Sequence, residues 1–236
     1  MAIIFLIIIV VITVYFTRIP EPYFGKFIGT VKTEWLEPDR KMKLLDDFAF
    51  IDPNNVTWRA PAGSVVDGAS IPPIAWSLIG GPFSGKYREA SVIHDVACKE
   101  KNQSWESVHE AFWYAMRASG VNELKAKIMY AAVYHGGPTW EHSVSTIVPR
   151  TKIEVAKRSL NTKLKISTDP RSSLKVNVRP ISRTPEEILR NIPEKSVVNI
   201  RVIPQKNELK RADFERLKQT IENQNTSLEG IRKFTP

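Results

Sequence analysis

Cysteine is nearly absent from this 236-residue chain: Cys98 is the only one. An internal disulfide framework and a cysteine-rich zinc site are therefore excluded. A chain without disulfides gains nothing from an oxidising compartment, which mildly favours a reducing one. Histidine is scarce, with four residues at positions 94, 109, 135 and 142. Aromatics are nearly missing from the C-terminal part, where only Phe214 and Phe234 lie beyond Arg150. That part lacks the stacking platform of a single-strand nucleic-acid binder. No Lys or Arg precedes the first apolar run and no A-x-A follows it, so a cleavable signal peptide is not expected.

What is present at the N-terminus is apolar. Residues 2–16 read AIIFLIIIVVITVYF, closed by Arg18. A spanning helix wants about 20 apolar residues, and roughly 17 is the lower limit. With Arg18 and the aromatics Tyr15, Phe16, Tyr23 and Phe24 at its flank, the run reads as an uncleaved anchor over residues 1–19. The competing reading is an apolar tail buried in a protein assembly. Arg18, Lys26 and Lys32 follow the run and slightly favour the body on the cytoplasmic side.

Residues 20–140 read as an α+β domain. Strand formers between Phe27 and Pro61, broken by the turns Glu37-Pro38-Asp39 and Asp52-Pro53-Asn54-Asn55, predict a small antiparallel meander. Pro61 to Gly85 holds five Gly and four Pro and reads as a compact loop of fixed shape. Three helices are expected next. They run from about Lys86 to Lys101 with Ser84 as N-cap, from Trp105 to Ser119 with Ser104 as N-cap, and from Glu123 to His135 with Asn122 as N-cap. The third stops at Gly136-Gly137-Pro138. Residues 141–236 form a basic extension, with a strand at Val197 to Ile203 and an amphipathic helix at Leu209 to Glu222. The net charge of +9 is uneven: residues 150–236 hold 20 Lys/Arg against 10 Asp/Glu, and the rest of the chain is nearly neutral. The basicity therefore suits docking to anionic lipid or a protein assembly. Nucleic acid is less favoured.

The chemistry-bearing residues gather on the first two body helices. Tyr87, Ser91, His94 and Cys98 share one face of the first, and Trp105, His109, Phe112 and Met116 share one face of the second. In an antiparallel hairpin His94 and His109 approach each other. Two chemistries fit. His94 can be a general base with an acidic group orienting its other nitrogen. Alternatively, His94, His109 and a carboxylate, Asp95 or Asp67, can hold a divalent metal. Adjacent helix residues point about 100° apart. Asp95 thus cannot face the same small site squarely, and can instead reach a cation or a backbone group of the Gly/Pro loop. Against these stand plainer roles: core or capping histidines at 94, 109 and 135, a turn role for Asp67, and an inert helix thiol at Cys98.

The loop APAGSVVDGASIPPIAWSLIGGPFSGKY, followed by REASVIHDVA, VHEAFWYAM and YHGGPTW, resembles a bacterial and phage domain-of-unknown-function family, number thirteen fifty-three. The family pattern is a P-x-G-x-x-x-D-G-A-S-I-P loop, an A-x-x-x-H-D helix and an Ala-Asp-x-x-Phe helix. The resemblance covers roughly residues 25–140. It places Pro61, Gly63 and Asp67 through Pro72 in the loop, and His94-Asp95 as the pair. Two departures stand out: His109 occupies a position where the family usually has Asp, and Cys98 replaces an aromatic. His109 suits a transition metal but not calcium, which takes oxygen ligands. A histidine-aspartate helix packed on an acidic helix also looks like secreted phospholipases, as a structural analogy.

The resulting expectation is a phage or prophage-type, membrane-anchored protein. His94, Asp95 and Asp67 would carry hydrolysis at the cell envelope, and a metal would sit at His94, His109 and Asp95. The alternative is a non-enzymatic virion or envelope component whose loop and His-Asp pair are structural locks and whose basic tail docks a partner.

Overall fold

The computed structural model describes residues 22–37, 41–68, 70–79, 85–147, 175–177, 197–205 and 209–235. The apolar run expected to form an anchor lies outside them, as does Ser84. Among the described residues no helix is long and apolar enough to cross a membrane.

The class is α+β, with small antiparallel sheets and several helices. The N-terminal strands are β1 (Lys26–Ile28), β2 (Thr33–Leu36), β3 (Lys41–Leu44), β4 (Phe48–Ile51), β5 (Thr57–Ala60) and β6 (Val65–Val66). They do not form the single meander expected from sequence. They divide into two three-stranded sheets, in the orders β1-β4-β5 and β2-β3-β6. The division falls where each apolar stretch is interrupted. Gly29 adopts a φ of +82° between β1 and β2, and a Cβ there would come within 3.0 Å of the Asp47 carbonyl oxygen. Residues 45–47 make the matching break between β3 and β4. Alternation then puts Met42, Leu44, Phe48, Phe50, Trp58 and Ala60 inward.

The Gly/Pro-rich stretch is more structured than a loop. It contributes β6, paired antiparallel with β3, and a helix α1 (Pro73–Ile79). Pro73 opens that helix, at the position where the missing N–H costs nothing. After a single 3₁₀ turn at Gly85–Tyr87 come α2 (Arg88–Glu100), α3 (Trp105–Ala118) and α4 (Glu123–Gly136). The Ser104 hydroxyl accepts from the Ser107 amide, and the Asn122 side chain accepts from the Lys125 amide, so both expected caps operate. The α2 N-cap position is Tyr87, without a side-chain cap. Helix α2 packs on α3 and on strands β5 and β6, and α3 packs on α4.

A third sheet, order β8-β7-β9, joins β7 (Thr139–Ile147), β8 (Lys175–Asn177) and β9 (Val197–Gln205). The chain then forms α5 (Arg211–Gln224) and α6 (Leu228–Arg232), both packed on α4. Phe214, Leu217 and Ile221, spaced three and four apart, are buried in the same core as the α4 residues Tyr130 and Val133. Ile231 of α6 joins them. Arg232 donates to the Tyr130 hydroxyl at 2.7 Å and pairs with Glu110 at 2.8 Å. The His135 Nε2 donates to the Ile231 carbonyl at 2.7 Å. Part of the aromatic-poor basic region therefore completes the body's core.

Candidate functional site: a buried His-Cys-His cluster beside a locked loop

Helix α2 presents two functional faces. On one, the Asp95 carboxylate reaches back to the Gly/Pro-rich stretch. Its Oδ2 accepts from the Asp67 amide at 2.9 Å and from the Gly68 amide at 3.4 Å. Its Oδ1 accepts from the Ser70 hydroxyl at 2.7 Å. Lys99, one turn along, donates to Oδ2 at 3.1 Å and to the Val65 carbonyl at 2.9 Å. Asp95 is 1 % exposed. The loop arrives in this geometry because Gly68 takes a φ of +68°, which turns two successive amides toward one oxygen. These charge-assisted bonds tie the loop firmly to the helix.

On the other face, His94 and His109 meet across the α2–α3 hairpin, Nε2 to Nδ1 at 2.8 Å. The far nitrogen of His109 lies 3.1 Å from the Pro138 carbonyl, which only accepts, so His109 carries its proton on Nε2. Its Nδ1 is then the acceptor, and the His94 Nε2–H donates to it. The remaining nitrogen, His94 Nδ1, is buried without a hydrogen-bond partner among the described residues. The Cys98 sulfur lies 3.6 Å from His94 Nε2. Phe112 caps the His94 ring at 4.6 Å between centroids, and Trp105 meets the edge of His109 at 5.6 Å. Burial lowers the His94 pKa to about 3 and pushes the Cys98 thiol up to about 12. His109 falls well below its ordinary value, by burial first and the neighbouring imidazole second. All three groups are neutral in the folded chain at pH 7.

The structure thus brings His94 and His109 together and sends Asp95 elsewhere. Asp95 does not join them as a third ligand, because its position one residue along the helix turns it toward the loop. Asp67 stays on the loop side, with its side chain 3.4 Å from Lys99 and 29 % exposed. The third group beside the imidazoles is Cys98. The donor atoms of His94, Cys98 and His109 all lie within 4.8 Å of one another. The i, i+4 spacing of His94 and Cys98 was the sequence signal for this trio. Of the other histidines, His135 holds α6, and the His142 Nε2 donates to the Lys101 carbonyl at 2.8 Å. Two clefts among the described residues are lined by β4–β5 and by β5 with the end of α2, and neither includes His94 or Asp95.

The geometry lies inside a stretch with relatives. Residues 42–133 match the family model described as "Protein of unknown function (DUF1353)", so the resemblance to that family is shown over that segment. Two proteins of Sinorhizobium fredii (strain NBRC 101917 / NGR234) are similar to the chain. The uncharacterized protein y4jT is 47 % identical over 120 residues, half of this chain and 36 % of its own length. The uncharacterized protein y4iH is 36 % identical over 135 residues, 57 % of this chain and 55 % of its own length. The chain therefore spans between about a third and about half of these relatives. No solved structure matches.

Proposed function

We propose that the protein is a non-enzymatic envelope or virion component, in which the His-Asp helix fixes the shape of the Gly/Pro-rich loop rather than performing hydrolysis. One observation carries this reading: the Asp95 carboxylate is almost fully buried and engaged by two loop amides, the Ser70 hydroxyl and Lys99. A catalytic carboxylate needs a lone pair facing substrate or its partner histidine. This one is spent on the scaffold, and His94, 1 % exposed, faces Cys98 and His109 instead of solvent. In this reading the apolar segment 1–19 anchors the chain in a membrane or assembly, and the basic region 150–236 supplies the docking charge.

The test is a hydrolysis screen of the full-length chain in detergent on phospholipid and peptidoglycan substrates, with His94→Ala alongside. No turnover above background is expected from either protein. Turnover that disappears in His94→Ala overturns the reading and restores His94 as the base.

A further inference from the structure

The His94, Cys98 and His109 side chains occupy the dry interior between α2 and α3, and none is needed there for packing alone. Three apolar residues would fill the same space without burying polar nitrogen. Two imidazoles and a thiol are desolvated there instead. Burying polar groups costs free energy, so their retention asks for a reason.

We propose that His94 Nε2, His109 Nδ1 and Cys98 Sγ form a binding site for a zinc-class transition-metal ion that staples α2 to α3. Three observations support the assignment. First, the three donor atoms converge, all within 4.8 Å of one another. Tetrahedral zinc with bonds of about 2.0–2.1 Å to nitrogen and 2.3 Å to sulfur sets its donors roughly 3.3 Å (N to N) and 3.6 Å (N to S) apart. The His94-to-Cys98 separation is 3.6 Å, and the two imidazole nitrogens, at 2.8 Å, need to open by only about half an ångström to admit the ion. Second, His109 already carries the outer support of a metal-bound histidine: its far N–H donates to a backbone carbonyl and aims the Nδ1 lone pair at the other two donors. Third, the donor set is chemically consistent. Two imidazoles and a thiolate select zinc-like or copper-like ions over magnesium and calcium.

The proton balance is simple. The ion displaces the thiol proton of Cys98 to solvent, and His94 stays neutral by carrying its proton on Nδ1. The charge left at the site is one positive unit. Because the cluster is closed by Phe112 and the helix pair, the ion enters as the chain folds.

This inference stands apart from the non-catalytic reading, since hydrolysis and metal content are measured separately and either can fail alone. The experiment refolds the full-length chain in detergent with cobalt(II), then with zinc(II). Expected are one ion per chain and, for cobalt, a near-ultraviolet thiolate charge-transfer band. Cys98 is the only thiol in the chain, so such a band has one source. Zinc should displace cobalt and abolish the band. Cys98→Ser should lose the band and at least tenfold in affinity, whereas Asp95→Asn should keep the band. Absence of stoichiometric binding overturns the proposal, as does cobalt bound by the wild-type chain without a thiolate band. The wild-type spectrum decides even where a variant fails to fold.

Discussion

His94 and Asp95 are neighbours in sequence, yet they live in opposite environments. Asp95 is a buried charge that accepts from four donors, all from the loop and its own helix. His94 is a buried neutral ring with one nitrogen partnered by His109 and the other by nothing among the described residues. The roughly 100° step between consecutive helix positions separates them. A His-Asp dipeptide on a helix therefore reads more safely as two half-sites than as one dyad. The saturated half holds shape, and the half that gathers two imidazoles and a thiol is where a ligand would act.

The comparison breaks most visibly if Asp95 turns out to matter little. Asp95→Ala removes the acceptor from two amides and a hydroxyl under burial, so a loss of about 3–4 kcal/mol in unfolding free energy is expected. Urea denaturation measures it, and a loss under about 1 kcal/mol would show the loop to be held by something else. The next effect tests the other half through pH. His94 titrates near 6.5 when unfolded and at about 3 when folded, so between those values the unfolded chain binds the extra proton. Stability contributed by the neutral ring is complete above about pH 7 and falls as pH drops, by up to about 1.4 kcal/mol per unit. At pH 4.5 His94 should account for about 2–3 kcal/mol, and His94→Gln should make the slope shallower, with buried His109 supplying the part that remains. An unchanged slope in the variant would place the acid sensitivity elsewhere. The smallest effect is expected at the rim: the Lys99 side chain is 44 % exposed, so Lys99→Met should cost about 0.5 kcal/mol or less despite its bond to Asp95. A cost near that of Asp95→Ala would make the lysine, not the loop amides, the main partner.

Much of this arrangement was legible beforehand. Ser104 and Asn122 marked two helix starts because a side-chain oxygen beside an apolar-periodic run satisfies an orphan amide. Scarcity made the histidines conspicuous, and helical spacing was enough to bring His94 and His109 face to face and to steer Asp95 away. Other features were hidden for physical reasons. The helix at Pro73–Ile79 was obscured by the density of Pro and Gly around it, although Pro at the first helical position is a helix start and not a stop. The split into two small sheets depends on the close approach of Gly29 to Asp47, a long-range contact no local pattern reveals. Cys98 was visible on the His94 face, but a lone cysteine argued against thiolate ligation as long as ligands were counted by type rather than by place. The charge of the C-terminal region masked Phe214, Leu217 and Ile221, whose spacing alone carried their burial.

The clasp between Arg232 and Tyr130 spans 102 residues of chain. At about 5–20 residues per second, a ribosome needs roughly 5–20 s to make that stretch after α4 has been polymerised. Throughout that interval the α4 surface that will meet Phe214, Leu217 and Ile231 has no covering, and nascent chains with bare apolar helices are what chaperones attend. The late arrival of α5 and α6 makes completion of the core an event in time as well as in space, and truncation within the last thirty residues should leave a chain that is made but not finished.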